Sequence, residues 1–131
     1  MPRFSIRSIR NLDTCDDRLA FIANNAIKVV DFCITQGHRS VEEQDELYAI
    51  GRDSPGRIVT YKRGGESVHN TSPSLAFDFA PWPIDWDDLV RFGVVAGVMK
   101  HIAYKEGIDM VWGGDWESFK DYPHIQVAPN G

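Results

Sequence analysis

Three side chains of the kind that bind a divalent metal stand in two short stretches. The segment SVHNTSPSLAFDFAP, residues 67–81, carries His69 in a polar, turn-rich run and, nine residues later, Asp78 between Phe77 and Phe79. The run DYPHIQV, residues 121–127, adds His124, with Asp121 three residues before it. A carboxylate set into an apolar run must find a partner, because burying it bare is costly. Two imidazoles and one carboxylate are a standard donor set for a catalytic Zn²⁺ that keeps one position open. Asp121 could take a proton from an attacking water without being a ligand itself. Metal plus carboxylate base is the equipment of a metallohydrolase. None of these spacings is an HExxH or paired CxxC signature. Spacing alone therefore leaves a solvated loop histidine and a salt-bridged strand aspartate as alternatives.

The elements that must position these groups follow from periodicity. LAFDFA alternates, with Leu75, Phe77 and Phe79 on one face and Ala76, Asp78 and Ala80 on the other. The small alanines leave space beside the carboxylate. HIQVA repeats the design, with Ile125 and Val127 inward and His124 and Gln126 outward. Pairing these two strands would put Asp78 and His124 on one surface, with His69 closing a third side. Pro123 keeps Asp121 in the turn that enters the last strand. Leu19, Ile22, Ala23, Ala26, Ile27 and Val30 predict a helix over 14–31, capped by Thr14 or Asp13, with Asp16 and Asp17 at its positive end. DFCIT reads as a strand. SVEE is a capping box that opens a helix from Ser40, through Tyr48, to a stop at Gly51. IVTYK, residues 58–62, reads as a short strand. Asp85 is expected to cap a helix running to about Lys105, with a stripe of Leu89, Phe92, Ala96, Met99 and Ala103. Gly93 and Gly97 offer that helix a close neighbour, and Gly107 ends it. DMVW supplies a further strand. Helices and short scattered strands in this order predict an α+β fold, a small and mainly antiparallel sheet with packed helices, in one domain over residues 1–131. Residues 52–70 form the longest irregular stretch, and loops of that length tend to be functional.

SVHNTSPSLAFDFAP, WGGDW and DYPHIQV resemble the active-site blocks of the M15 metallopeptidases. That family includes D-Ala-D-Ala carboxypeptidases and dipeptidases and phage L-alanyl-D-glutamate endopeptidases. ITQGHRSVEEQDELYAIGR resembles the family's block around an active-site arginine. The resemblance runs over about residues 32–128 and is strongest to small phage endolysins. It implies a Hedgehog/DD-peptidase-like fold, with His69, Asp78 and His124 as zinc ligands and Asp121 as the catalytic acidic residue. It implies Arg39 as the arginine that contacts substrate or the developing oxyanion. It places Ser67 and Gln44 near bound substrate and gives Asp115 a structural or substrate-positioning role. Two departures stand out. The step from His69 to Asp78 is longer than the family's common one, with the extra residues in NTSPS, and many members carry glutamate where this chain has Asp121. The implied function is a zinc-dependent peptidoglycan peptidase, a phage endolysin cutting the L-Ala-D-Glu bond of stem peptides. A D-Ala-D-Ala carboxypeptidase or dipeptidase, and a non-catalytic wall-binding module, are the rival readings.

Other features take plainer readings. Arg39 could pair with Glu42, Glu43 or Asp45, although its place before a helix N-terminus suits an anion. Trp112 and Trp116 read as core and cleft-wall residues, His38 and His101 as non-ligands, and Asp85, Asp87 and Asp88 as an acidic first helical turn. Cys15 and Cys33 form no CxxC pair and read as free thiols. The chain of 131 residues is 43% hydrophobic and 25% charged, an ordinary globular composition. A net charge of −5 disfavours nucleic acid as a partner. No segment approaches the ~20 apolar residues of a membrane span. MPRFSIRSIRNL lacks the apolar core of a signal peptide, so synthesis in a host cytoplasm and later action on the wall are expected. A monomer, and a Gram-negative host with a thin wall, complete the expectations.

Overall fold

The N-terminal half opens with two helices where the sequence predicts one. A computed structural model describes residues 2–129. Helix α1 (Ile6–Asp13) is capped by Ser5, whose Oγ accepts from Ser8 N. Helix α2 (Asp17–Ala26) is capped by Asp16, not by Thr14 or Asp13, and its carboxylate accepts from Arg18 N. The break has a cause. Two backbone groups at the junction go to the loop before the second strand: Ser74 N donates to Thr14 O and Asp16 N donates to Ser74 O.

Strand β1 (Phe32–Gln36) follows, then helix α3 (Val41–Ala49), whose Ser40–Glu43 capping box is formed in both directions. Strand β2 (Ala76–Pro81), helix α4 (Leu89–Glu106), strand β3 (Met110–Trp112) and strand β4 (His124–Val127) complete the order. The four strands form one sheet in the order β1-β2-β4-β3, and each neighbouring pair is antiparallel. This is the expected α+β architecture.

One face of the sheet is the core. Phe77, Phe79, Ile125 and Val127 point into it and meet Leu19 and Ile22 of α2 and Phe92, Val95, Ala96 and Met99 of α4, all essentially inaccessible. Phe79 packs against Phe32 and Phe92 with ring centroids 6.2 and 5.5 Å away. Each such ring contributes about 1.5–3 kcal/mol by leaving water. Helix α1 covers the open edge of β1: Ser8 Oγ accepts from Ile34 N at 3.0 Å, and Asn11 Nδ2 donates to Ile34 O at 2.8 Å. Side chains thus occupy the outward backbone groups of Ile34, which could otherwise pair with another chain.

Three local expectations need correction. Residues 58–62 are not a strand. Thr60 Oγ1 accepts from Lys62 N, and Lys62 O accepts from Gln44, so these groups go to side chains instead of a ladder. Helix α4 is capped by Asp88, whose carboxylate accepts from Arg91 N; Asp85 makes the turn before it by accepting from Asp87 N. That later start leaves Leu89 exposed, and Val95 joins the stripe in its place. Gly93 faces the Trp112 ring at 3.8 Å, but Gly97 faces open space. Gly107, at φ 73°, closes α4 in the left-handed region, where glycine is favoured.

Candidate metal centre and active site

The register of β2 and β4 sets Asp78 opposite His124 on the face of the sheet away from the core. His69 arrives from a short 3₁₀ turn, Val68–Asn70. Ser67 caps that turn by accepting from His69 N at 3.1 Å. Asn70 ties it down by donating to the Arg39 carbonyl at 2.8 Å, while Arg39 N donates to His69 O at 2.8 Å. The long NTSPS step does not disturb either end. Thr71 Oγ1 accepts from Leu75 N, and Ser74 is held by Thr14 and Asp16, so the extra residues are pinned against the α1–α2 junction.

The three side chains converge. Asp78 Oδ1 lies 3.3 Å from His69 Nε2 and 3.7 Å from His124 Nδ1, and one ligand atom from each residue lies within 4.8 Å of the other two. The opposite ring nitrogens are engaged elsewhere. His69 Nδ1 sits 2.9 Å from the Gly37 carbonyl, and His124 Nε2 sits 2.8 Å from Gln126 Oε1. Each of those acceptors holds the ring proton on its own side. The two remaining nitrogens therefore aim lone pairs at a carboxylate oxygen that is buried and has no hydrogen-bond partner. Lone pairs facing a carboxylate repel unless a cation or a proton stands between them. The donor set and its outer partners fit a divalent metal held by His69 Nε2, Asp78 Oδ1 and His124 Nδ1.

The electrostatics follow the same pattern. Burial would raise the Asp78 carboxyl, but the His124 and His69 imidazoles outweigh it and hold the group well below the ordinary carboxylate range. Burial disfavours the His124 cation, yet Asp78, Gln126 and Asp121 turn its net shift upward. The pocket is built to hold positive charge. Asp121 moves the other way: burial and the nearby Asp78 charge raise its carboxyl, against the pull of His124, His69 and Arg39. A bound cation would draw it back down.

Asp121 stands beside the triad, not in it. Its Oδ2 is 3.9 Å from His124 Nδ1 and its side chain is 43% exposed. Its backbone is fixed by Asp121 N donating to Gly113 O at 3.0 Å and by His124 N donating to Asp121 O at 3.1 Å. Arg39 reaches in from the start of α3, with Nη2 3.5 Å from Asp78 Oδ2 and Nη1 donating to Gln44 Oε1 at 2.8 Å. Its Nε is buried without a partner. The surface ion pairs with Glu42, Glu43 or Asp45 do not form; Arg39 turns inward. A cleft of about 570 Å³ opens over these groups, lined also by Ser67, Trp116 and residues 59–62 of the long irregular loop.

Two of the residues expected at bound substrate stand elsewhere. Asp115 does not line the cleft, because Lys100 Nζ draws it outward at 2.5 Å. Gln44 is 1% exposed and lies behind Arg39, Thr60 and Lys62, so it can act on substrate only through those residues. Trp112 donates from Nε1 to Tyr122 O at 2.7 Å and supports the wall, while the Trp116 ring sits 5.1 Å from the His124 ring. His38 and His101 are not in the metal-type cluster found among the described residues. Cys15 and Cys33 are free; burial pushes the Cys15 thiol up to about 11, which makes it a poor nucleophile.

Sequence reasoning missed the supports. Gly37 and Gln126 orient the two imidazoles, and Gln126 was marked by its alternation with His124 along β4. Gly113 matters for space: a Cβ there would lie 2.2 Å from Asp121 O and 3.0 Å from His124 Cβ. The WGGD run thus positions Asp121 through its glycine and not through its aspartate.

The kinship expected from the four blocks holds. Residues 1–128 match the family model described as phage L-alanyl-D-glutamate peptidase. The chain is 42% identical over 119 residues to the peptidoglycan L-alanyl-D-glutamate endopeptidase CwlK of Bacillus subtilis (strain 168), covering 85% of this chain and 69% of that protein. It is 31% identical over 125 residues to the L-alanyl-D-glutamate peptidase of Escherichia phage T5, covering 92% and 85%. In structure it is similar to the Serratia marcescens L-Ala D-Glu endopeptidase ChiX, with a TM-score of 0.77 and 28% identity over 96% of this chain and 90% of that one. The D,D-pentapeptidase VanY from a VanB-type vancomycin-resistance cassette shares the fold, with a TM-score of 0.50 and 15% identity over 96% and 73%. The chain belongs to the phage L-alanyl-D-glutamate peptidase family.

Proposed function

We propose that this protein is a zinc-dependent peptidase that hydrolyses the L-Ala-D-Glu bond of peptidoglycan stem peptides, acting at the cell wall as a monomer. The observation that carries the reading is the unpartnered Asp78 Oδ1 facing His69 Nε2 and His124 Nδ1, with a second carboxylate, Asp121, 3.9 Å from His124 Nδ1. His69, Asp78 and His124 would hold Zn²⁺. When bound, that ion polarises the scissile carbonyl and lowers the pKa of water. Asp121 takes the proton of the attacking water and delivers it to the leaving amine of the glutamate residue. A carboxylate suits both steps, since it is ionised before the attack and is an acid after it. Arg39 stabilises the oxyanion or holds a substrate carboxylate, with Nε as an uncommitted donor and Nη1 steadied by Gln44. Ser67 shapes the rim by capping the His69 turn. Trp116 forms part of the cleft wall beside His124, with its ring 5.1 Å from the imidazole.

Elemental analysis of the purified protein tests the metal assignment. About one zinc per chain is expected, with His69→Ala and His124→Ala losing both metal and hydrolysis. Full activity in metal-free protein would overturn it.

A further inference from the structure

Gln44 is buried, yet every bond of its side-chain amide goes to a group around the cleft. Oε1 accepts from Arg39 Nη1 at 2.8 Å; Nε2 donates to Lys62 O at 2.7 Å and to Thr60 Oγ1 at 3.2 Å. Between those two partners stands Tyr61, 61% exposed, whose ring meets Phe119 edge-on with centroids 4.7 Å apart. Phe119 belongs to the facing wall, two residues before Asp121, and holds φ at 46°. A bulky side chain adopts that backbone only where its surroundings compel it. Among the described residues, 55–62 make no backbone–backbone hydrogen bond, so the Gln44 amide is the fastening of this wall at Thr60 and Lys62.

We propose that Gln44 is a positioning residue that couples the Arg39 guanidinium to the Tyr61–Phe119 contact, so that a peptide entering between the aromatic walls and the setting of Arg39 are one event. The physical basis is the planarity of the amide. Its acceptor and its donors are rigidly related, so moving Thr60 and Lys62 turns the plane and draws Oε1 off Nη1. Arg39 lies 3.5 Å from Asp78, and Phe119 precedes Asp121 by two residues. The coupling therefore ends beside reactive groups on both walls. The catalytic arm of the proposal rests on the function proposed above; the structural coupling does not.

Fluorotyrosine incorporated at the four tyrosines allows a test by fluorine NMR. The Tyr61 signal is assigned by its loss in Tyr61→Phe, and Tyr104, exposed on α4, is the reference. Gln44→Glu keeps an acceptor for Arg39 and loses the donors; Gln44→Met loses all three bonds. Arg39→Met and Arg39→Leu cut the far end, and both are made so that one folded variant suffices. Each variant should move the Tyr61 signal toward its position in Phe119→Ala and leave Tyr104 in place. Gln44→Glu should also lower kcat by about 10–100-fold at unchanged metal content, the cost of misplacing a reacting group by a fraction of an ångström to 1 Å. A Tyr61 signal unmoved by the Arg39 variants overturns the proposal, as does a wild-type kcat for folded Gln44→Glu. The NMR arm needs no turnover. A wild-type protein that fails to cut stem peptides would remove the functional reading and still leave the coupling decided.

Discussion

Gly113→Ala is the substitution whose effect can be worked most directly from distances. The new Cβ would lie 2.2 Å from Asp121 O and 3.0 Å from His124 Cβ. Relieving the first contact needs a displacement of about 1 Å, since non-bonded heavy atoms attract only near 3.5–4 Å. The backbone cannot absorb this locally, because Asp121 N donates to Gly113 O and His124 N donates to Asp121 O. The shift therefore passes to the proposed base and to one proposed metal ligand. A misplacement of about 1 Å costs about 10²-fold in rate, and overpacking costs about 1–3 kcal/mol of stability. The matched control is Gly97→Ala on α4, where an added Cβ meets nothing within 4 Å. That change should stabilise by about 0.5–1 kcal/mol, as alanine does over glycine inside a helix, and leave activity intact. The assay is kcat on a purified stem peptide, with thermal melting and zinc content measured on the same samples. Wild-type kcat and melting temperature in Gly113→Ala would refute the claim that this glycine positions Asp121.

Asp121→Asn should keep zinc and lose about 10²–10⁴-fold in rate, because the amide cannot accept the water proton; Asp78→Asn should instead weaken zinc binding, and parallel elemental analysis separates the two. Arg39→Lys should lose turnover with little change in melting temperature, since lysine keeps the charge but not the forked donors; a large drop in stability with intact kinetics would make Arg39 a structural residue. Asp16 caps α2 and pairs with Arg18, and those bonds hold its carboxyl below the ordinary range. A lowered folded-state pKa stabilises above the unfolded value of about 4 and is lost as pH falls through the folded value. Asp16→Ala should therefore cost about 1 kcal/mol at neutral pH and less at pH ~3, read by denaturant unfolding at both.

Much of the site was legible because strand alternation has a strict period. Once LAFDFA and HIQVA were read as strands with Phe77, Phe79, Ile125 and Val127 inward, Asp78 and His124 had to share the outer face, and the sheet pairs them directly. The Ser40–Glu43 box likewise placed the start of α3 and with it Arg39. What escaped depended on long-range partners. The single helix predicted over 14–31 splits because residues 14–16 bond to Ser74, more than fifty residues away. IVTYK has strand-like composition, but Gln44 takes the Thr60 hydroxyl and the Lys62 carbonyl, and among the described residues 55–62 make no backbone–backbone hydrogen bond. Asp115 stood in a family block, yet Lys100 draws it outward. The resemblance identified the blocks, while only the packing shows that Gly113 and Gln44 serve as supports.

The bond that is cut is the centre of the account, and mass spectrometry of products from purified peptidoglycan reads it directly. The proposed activity releases fragments that begin with a free D-glutamate amine and leaves L-alanine at the carboxyl end of the stem stub. Release of free D-alanine or of a D-Ala-D-Ala dipeptide, with the L-Ala-D-Glu bond intact, would contradict it.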